Sequence, residues 1–306
     1  MNVKIDPGIV CTYLYIISRE GYPPPAEKTC DHLLDMQSLG FVSVELEGIR
    51  KEHLLSIYES RMRIAETINR LGLQVPYFCT VLPGLSALDE KIRQENLDHF
   101  EKGCEIAKLF GSRGVLDNAP LPPYLFPGGI PVVRHYGEAE LRQAWLPEDL
   151  SWPAYQDVLI STFRTVCEIS ASYGLTYNMH PALGVLAATT DAFLNFYESL
   201  KMENLRFNLD TANQYFMKEN LILALHRSIG FIDYIHLSDN GGGRVEHLPP
   251  GQGTIPWDRF FETLDRFGFQ GHIGIDVGGE ESRLKDIGMV YRESAAWITA
   301  RWNRKL

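Results

Sequence analysis

Four segments in the second half of this chain share one design, and together they constrain what it can fold into. They are LTYNMHP (175–181), LRFNLDTAN (205–213), FIDYIHLSDN (231–240) and GHIGIDVGG (271–279). Each is a short apolar run, rich in β-branched and aromatic residues, that stops in polar residues, and helix-like stretches separate them. Parallel strands alternating with helices have this pattern. A parallel barrel places its chemistry at the carboxyl ends of its strands, where Asn178, His180, Asp210, His236, Asp239 and Asp276 fall. Carboxylates and imidazoles converging from several strands point to a divalent metal.

The first half continues the alternation. VKIDPGIVCTYLY (3–15) reads as a first strand and its loop, and FVSVELEG (41–48), LQVPYFCTV (73–81) and RGVLDNA (113–119) as three further strands. The spacing predicts helices at about 26–39, 51–71, 87–110, 153–173, 190–201, 217–229, 257–268 and 281–301. Gly40, Gly72, Gly111, Gly174, Gly230 and Gly268 stand at or near the helix-to-strand joints, where a residue of positive φ ends a helix. These are eight βα units: one α/β domain over residues 1–306, a (β/α)8 TIM barrel. Residues 119–153, rich in Pro, Gly and aromatic side chains, break the rhythm after the fourth strand. They read either as a lid over a small-molecule site or as an oligomer contact or loop with its own small core.

Bulk properties narrow the function. The chain has 306 residues and a formal net charge of −10, a balance that disfavours nucleic acid, since phosphate contacts need clustered Lys and Arg. No apolar run approaches the roughly 20 residues of a membrane span, and the N-terminus lacks the apolar core of a signal peptide. The five cysteines are widely spaced and mostly in apolar contexts, which reads as buried thiols in a reducing cytoplasm.

With these pieces in place, the chain resembles the xylose isomerase-like barrels, a superfamily of sugar isomerases, epimerases, inosose dehydratases and endonuclease IV. The pieces that carry the likeness are VELEG, GLTYNMHP, NLDTAN, IHLSDN, HLPPGQGTIPW and GFQGHIGIDV, in order and at proper spacing. The resemblance implies one Mn²⁺, Mg²⁺, Co²⁺ or Zn²⁺ at the barrel mouth, a sugar or polyol substrate, and admits a homo-oligomer. It implies a ligand set of Asn178, Asp210, His236 and Asp276, with Asn178 and Asp276 standing where the family has Glu, and Asn213 where it has His. A neutral amide at Asn178 ligates weakly and accepts no proton, a set better suited to Mg²⁺ or Mn²⁺ than to Zn²⁺. Endonuclease IV-like chemistry is disfavoured, because VPYFCTV and GVLDNA supply no histidines for extra metals.

The expected activity is a metal-assisted sugar or polyol isomerase or epimerase that abstracts a proton next to a carbonyl. The alternatives are an inosose dehydratase-like lyase and a sugar-binding member without turnover. Asp276 is the expected base, and His180, two residues past Asn178 on the same side of the strand, stands in as a second. Glu45, Asn213, Arg244 and His247 are candidates to bind substrate. Each has a structural reading beside it: a satisfied strand-end histidine for His180, a helix cap for Asp210, a salt bridge for Glu45, a solvated loop arginine for Arg244, and an Asx turn for Asp239–Asn240.

Overall fold

Residues 4–131 and 133–302 are described in a computed structural model. The ends of the expected domain, 1–3 and 303–306, and Val132 in the insertion lie outside the described residues. The elements are β1 (Ile9–Cys11), α1 (Leu14–Glu20), α2 (Thr29–Ser38), β2 (Ser43–Val44), β3 (Leu46–Ile49), α3 (Arg50–Leu71), β4 (Tyr77–Val81), α4 (Glu90–Phe110) and β5 (Gly114–Asn118). There follow α5 (Glu138–Leu141), α6 (Trp152–Ser172), β6 (Thr176–His180), α7 (Thr190–Leu200), β7 (Leu205–Phe207), β8 (Leu209–Asp210), α8 (Thr211–Phe216), α9 (Leu221–Ser228), β9 (Tyr234–Leu237), α10 (Trp257–Phe267), β10 (His272–Ile275) and α11 (Ile287–Thr299).

All ladders are parallel. They form two five-stranded sheets, β2-β1-β10-β9-β8 and β3-β4-β5-β6-β7. The chain passes from one to the other at Glu45, between β2 and β3, and at Asn208, between β7 and β8. The ten strands, with those two pairs each counted once, make the eight members of a closed TIM barrel. Both interruptions stay bonded: Glu45 N donates to Cys11 O at 2.9 Å, and Asn208 N to Met179 O at 3.0 Å. The Asn208 side chain joins the ladder by donating to Tyr234 O at 3.1 Å.

Alternate residues point inward. Val10, Tyr77, Cys79, Leu116 and Tyr234 pack as a cluster of their own, and the Tyr77 and Tyr234 rings stack at 4.3 Å. This layer is the floor beneath the site. The opposite faces of the strands meet the helices in the larger core.

Helix ends follow local chemistry. Gly72 (φ 63°) and Gly111 (φ 74°) end α3 and α4 in the left-handed region that glycine enters without penalty. Gly230 differs, lying in a short 3₁₀ turn, Ile229–Phe231, without positive φ. The helix expected at 217–229 is α9 alone, and a separate α8 precedes it: Lys218, between the two, has φ 66°, and Asn220 starts α9 by accepting from Ile222 N and Leu223 N. The last helix begins at Ile287, not near 281, because Asp286 caps it. The first strand is three residues long, and α1 begins at Leu14, just inside the end of the 3–15 span.

The insertion after β5 is held by a backbone bridge between Leu125 and Trp145, by stacking of Phe126 on Tyr136 at 5.2 Å, and by Arg50 donating to Pro131 O at 2.8 Å. No helix among the described residues is long and apolar enough to cross a membrane.

Candidate active site

The carboxyl ends of four barrel members bring their polar residues to one place. His180 ends β6, Asp210 ends β8, His236 lies in β9, and Asp276 follows β10 directly. His180, Asp210 and His236 present ligand-type atoms all within 4.8 Å of one another, and so do Asp210, His247 and Asp276. Asp210, fully buried, belongs to both groups.

Each histidine is held from outside, leaving its other nitrogen toward the centre. Glu45 Oε2 lies 3.0 Å from His236 Nε2, while Nδ1 of His236 is buried without a partner. Asn118 Oδ1 lies 3.1 Å from His180 Nδ1, and Nε2 faces Asp210 Oδ2 at 3.1 Å. Glu281 Oε1 lies 2.8 Å from His247 Nδ1, and the unpartnered Nε2 faces Asp276 Oδ2 at 3.5 Å. Outer partners of this kind fix the tautomer and aim of metal-binding imidazoles. The donor set, with its inward nitrogens and buried carboxylates, therefore fits a divalent ion.

The electrostatics agree. Burial alone would raise the Asp210 carboxyl, but the hydrogen bond and charge of His180, with His247 and His236, hold it well below the usual carboxylate range. Burial would lower His236, yet Glu45, Asp276 and Asp210 outweigh it and push the imidazole up to about 9. Glu47 also lines this cavity. Burial, then the charges of Glu45 and Asp276, pushes its carboxyl well above the usual range.

Asn178, expected as a ligand, is not among the residues that line the cavity, and its Oδ1 is buried without a partner. It lies two residues before His180 on the same face, one step deeper in the barrel. Its Nδ2 is bonded to Val115 O at 3.3 Å and to Thr176 Oγ1 at 3.0 Å, and it is fully buried. His180, at the strand end, occupies the level of Asp210 and His236. Arg244, expected to reach substrate, is exposed at 58% of its side chain and pairs with Glu246 at 2.9 Å, outside the cavity. Glu45 does not line the cavity either; it accepts from Tyr13 N at 3.3 Å and holds His236.

Asn213 does line the cavity. Its Nδ2 and N donate to the two Asp210 oxygens at 2.6 and 2.9 Å. Asp239 bonds Gly251 N at 2.7 Å and Trp257 Nε1 at 2.7 Å, a loop-building role. Thr12 Oγ1 donates to Asp276 Oδ1 at 3.4 Å.

Sequence reasoning missed Glu47, Asn118, Arg134 and Glu281. Glu47 and Asn118 were visible as polar inward positions at strand ends. Arg134 and Glu281 lie in loops, where no periodicity marks direction.

Comparison with known proteins agrees with this architecture. A family model described as xylose isomerase-like TIM barrel matches residues 33–301. An L-ribulose-5-phosphate 3-epimerase of Shigella boydii is 23% identical over 285 residues, covering 91% of each chain. The apo crystal structure of a 3-keto-D-glucoside 4-epimerase from E. coli superposes with a TM-score of 0.73 at 19% identity, over 96% of this chain and 100% of that one. The IolI protein, solved with a bound zinc, has a TM-score of 0.66 at 17% identity, over 96% of each.

Proposed function

We propose, from the premise that this chain belongs to the xylose isomerase-like TIM barrel family, that it is a metal-assisted sugar or polyol epimerase or isomerase acting by proton transfer next to a carbonyl. The observation that carries this reading is the convergence of two overlapping donor groups on Asp210, with every histidine held from behind. The similarity to sugar epimerases in sequence supports the substrate class.

His180, Asp210, His236 and Asp276 are the residues to hold the ion. With His180 in place of Asn178 the set carries two imidazoles and two carboxylates, which moves its preference from Mg²⁺ toward Zn²⁺, Co²⁺ or Mn²⁺. When bound, the metal supplies Lewis acidity to a substrate carbonyl and its neighbouring hydroxyl.

This chain's own residues handle the proton. Asp276 takes it from the carbon beside the carbonyl, with Thr12 bonded to its Oδ1. His247, anchored by Glu281, faces its Oδ2. Glu47, whose carboxyl keeps its proton near neutrality, is the group able to return one. Asn213 fixes Asp210 by bonding both of its oxygens. His180 offers Nε2 to the ion and so serves as ligand, not base.

The test uses metal-loaded protein and a panel of ketoses in D₂O, followed by NMR. Asp276→Asn, compared with wild type at equal metal loading, is expected to lower kcat by about 10²-fold or more, the scale of losing a general base. Glu47→Gln is expected to retain deuterium exchange at the α-carbon while losing inversion. Turnover with no exchange at that carbon, together with a fully active Asp276→Asn, would overturn proton abstraction. Loss of water from the product would assign the dehydratase chemistry that the same base can begin.

A further inference from the structure

Among the described residues that line the metal cavity, Arg134 is the one Arg or Lys. It comes from the insertion after β5 and pairs with Glu281, in the loop after β10. Its Nη2 also lies 3.0 Å from Nδ1 of His247. Beside it, His135 is half-buried, with its Nδ1 enclosed and unpartnered and its ring 6.0 Å from that of His247.

Arg134 and His135 have space on both sides. Inward lies the metal cavity, of about 50 Å³. Outward lies a second cavity of about 510 Å³, which shares Ile17, Tyr22, Arg134 and His135 with the first. Arg134 and His135 are the polar side chains among the four residues common to both linings. Each buried water takes roughly 10–15 Å³ on this measure, so the inner space holds a few waters. It falls far short of the ~300 Å³ at which ligand pockets begin. A sugar therefore needs the inner space to widen, and displacing Arg134 to widen it would break the Arg134–Glu281 pair.

That requirement selects substrates by charge. Separating this partly buried pair leaves an unpaired guanidinium, which is unfavourable where solvent is restricted. Sugar hydroxyls offer no replacement charge. A carboxylate or phosphate does, and its oxygens match the planar guanidinium fork. Glu281 loses less on separation, because it keeps His247 Nδ1 at 2.8 Å. Arg283, a second cation with φ 55°, lines the outer cavity along the same approach.

We propose that Arg134 determines specificity: it exchanges Glu281 for the oxyanion of an incoming sugar, so the site prefers carboxylate- or phosphate-bearing ketoses over neutral ones. This rests on the reading of the cavity as a sugar site. The two fail differently, because anion binding is measured without turnover.

The experiment titrates metal-loaded wild type, Arg134→Gln and Glu281→Gln, checked for equal metal content, with acetate and with methyl phosphate by calorimetry. A neutral pentulose, its 5-phosphate and a keto-uronate are then compared for kcat/KM. Arg134→Gln is expected to weaken binding of the preferred anion by about 10- to 100-fold, the scale of a lost charge-assisted hydrogen bond. It should also lower the anionic-to-neutral kcat/KM ratio by a similar factor. Glu281→Gln frees the guanidinium and is expected to tighten the same anion. The arm that responds, acetate with uronate or methyl phosphate with the 5-phosphate, identifies the oxyanion. Equal affinities in all three proteins, or weakening in both variants alike, would reduce Arg134–Glu281 to a structural ion pair and overturn the proposal. If no ketose exchanges deuterium but the opposed anion shifts appear, the reaction assignment fails and the oxyanion site stands.

Discussion

Asn178 and His180 lie two residues apart on β6, and replacing each should have different effects. His180→Ala removes an inward imidazole and is expected to reduce metal content after dialysis against limiting Zn²⁺ or Mn²⁺. Asn178→Ala is expected to leave metal content unchanged and to cost about 1–3 kcal/mol of stability, because Val115 O and Thr176 Oγ1 lose a buried donor. Metal loss in Asn178→Ala with none in His180→Ala, measured by atomic absorption, would reverse the assignment. The strand and its inward face were readable from alternation alone. The depth at which the barrel floor gives way to the mouth was not, because the packing of Tyr77, Tyr234 and Leu116 from other strands sets it. Asp210 and His236 are the last polar residues inside β8 and β9, and Asp276 follows β10 directly.

At the scale of elements, apolar spacing located the helices and strands, while their joints depended on single capping side chains such as Asn220 and Asp286. One strand carries a further, titratable tie. Asp117, on the outward face of β5 and 2% exposed, accepts from Thr80 Oγ1 at 3.0 Å, Leu82 N at 3.4 Å and Asn118 N at 2.7 Å. Burial, only partly offset by these bonds, pushes its carboxyl up to about 8. A carboxyl raised above its unfolded value of about 3.9 stabilises the fold fully below that value and loses the contribution as pH rises through 8. Asp117→Asn is therefore expected to gain about 2 kcal/mol relative to wild type between pH 6 and 8, at about 1.4 kcal/mol per unit. Paired thermal melts across that range would show it; parallel pH profiles would mean that Asp117 is already ionised in the folded chain.

For the molecule as a whole, strand number, order and parallel pairing were legible, but the way the insertion enters the mouth was not. Its Arg134 finds Glu281, 147 residues away, a meeting that only tertiary structure creates. The two interruptions at Glu45 and Asn208 have a consequence for mechanics. They mark the boundaries between the two sheets and are expected to act as seams between half-shells. Asp210, His236 and Asp276 belong to the half built on β8, β9 and β10, whereas His180 and the insertion bearing Arg134 belong to the other. An ion held by His180 together with the other three would be a rivet driven through both plates, and the Arg134–Glu281 pair a clasp above it. Metal at about 100 times its Kd adds roughly 2.7 kcal/mol, so chelation should lower the melting temperature by several degrees. It should also speed amide exchange of Glu45 and Asn208 ahead of mid-strand amides such as Val115 and Ile235. Uniform acceleration across all strands would mean that the barrel responds as one shell; a response confined to those two amides and their neighbours would show the two plates working loose along their seams.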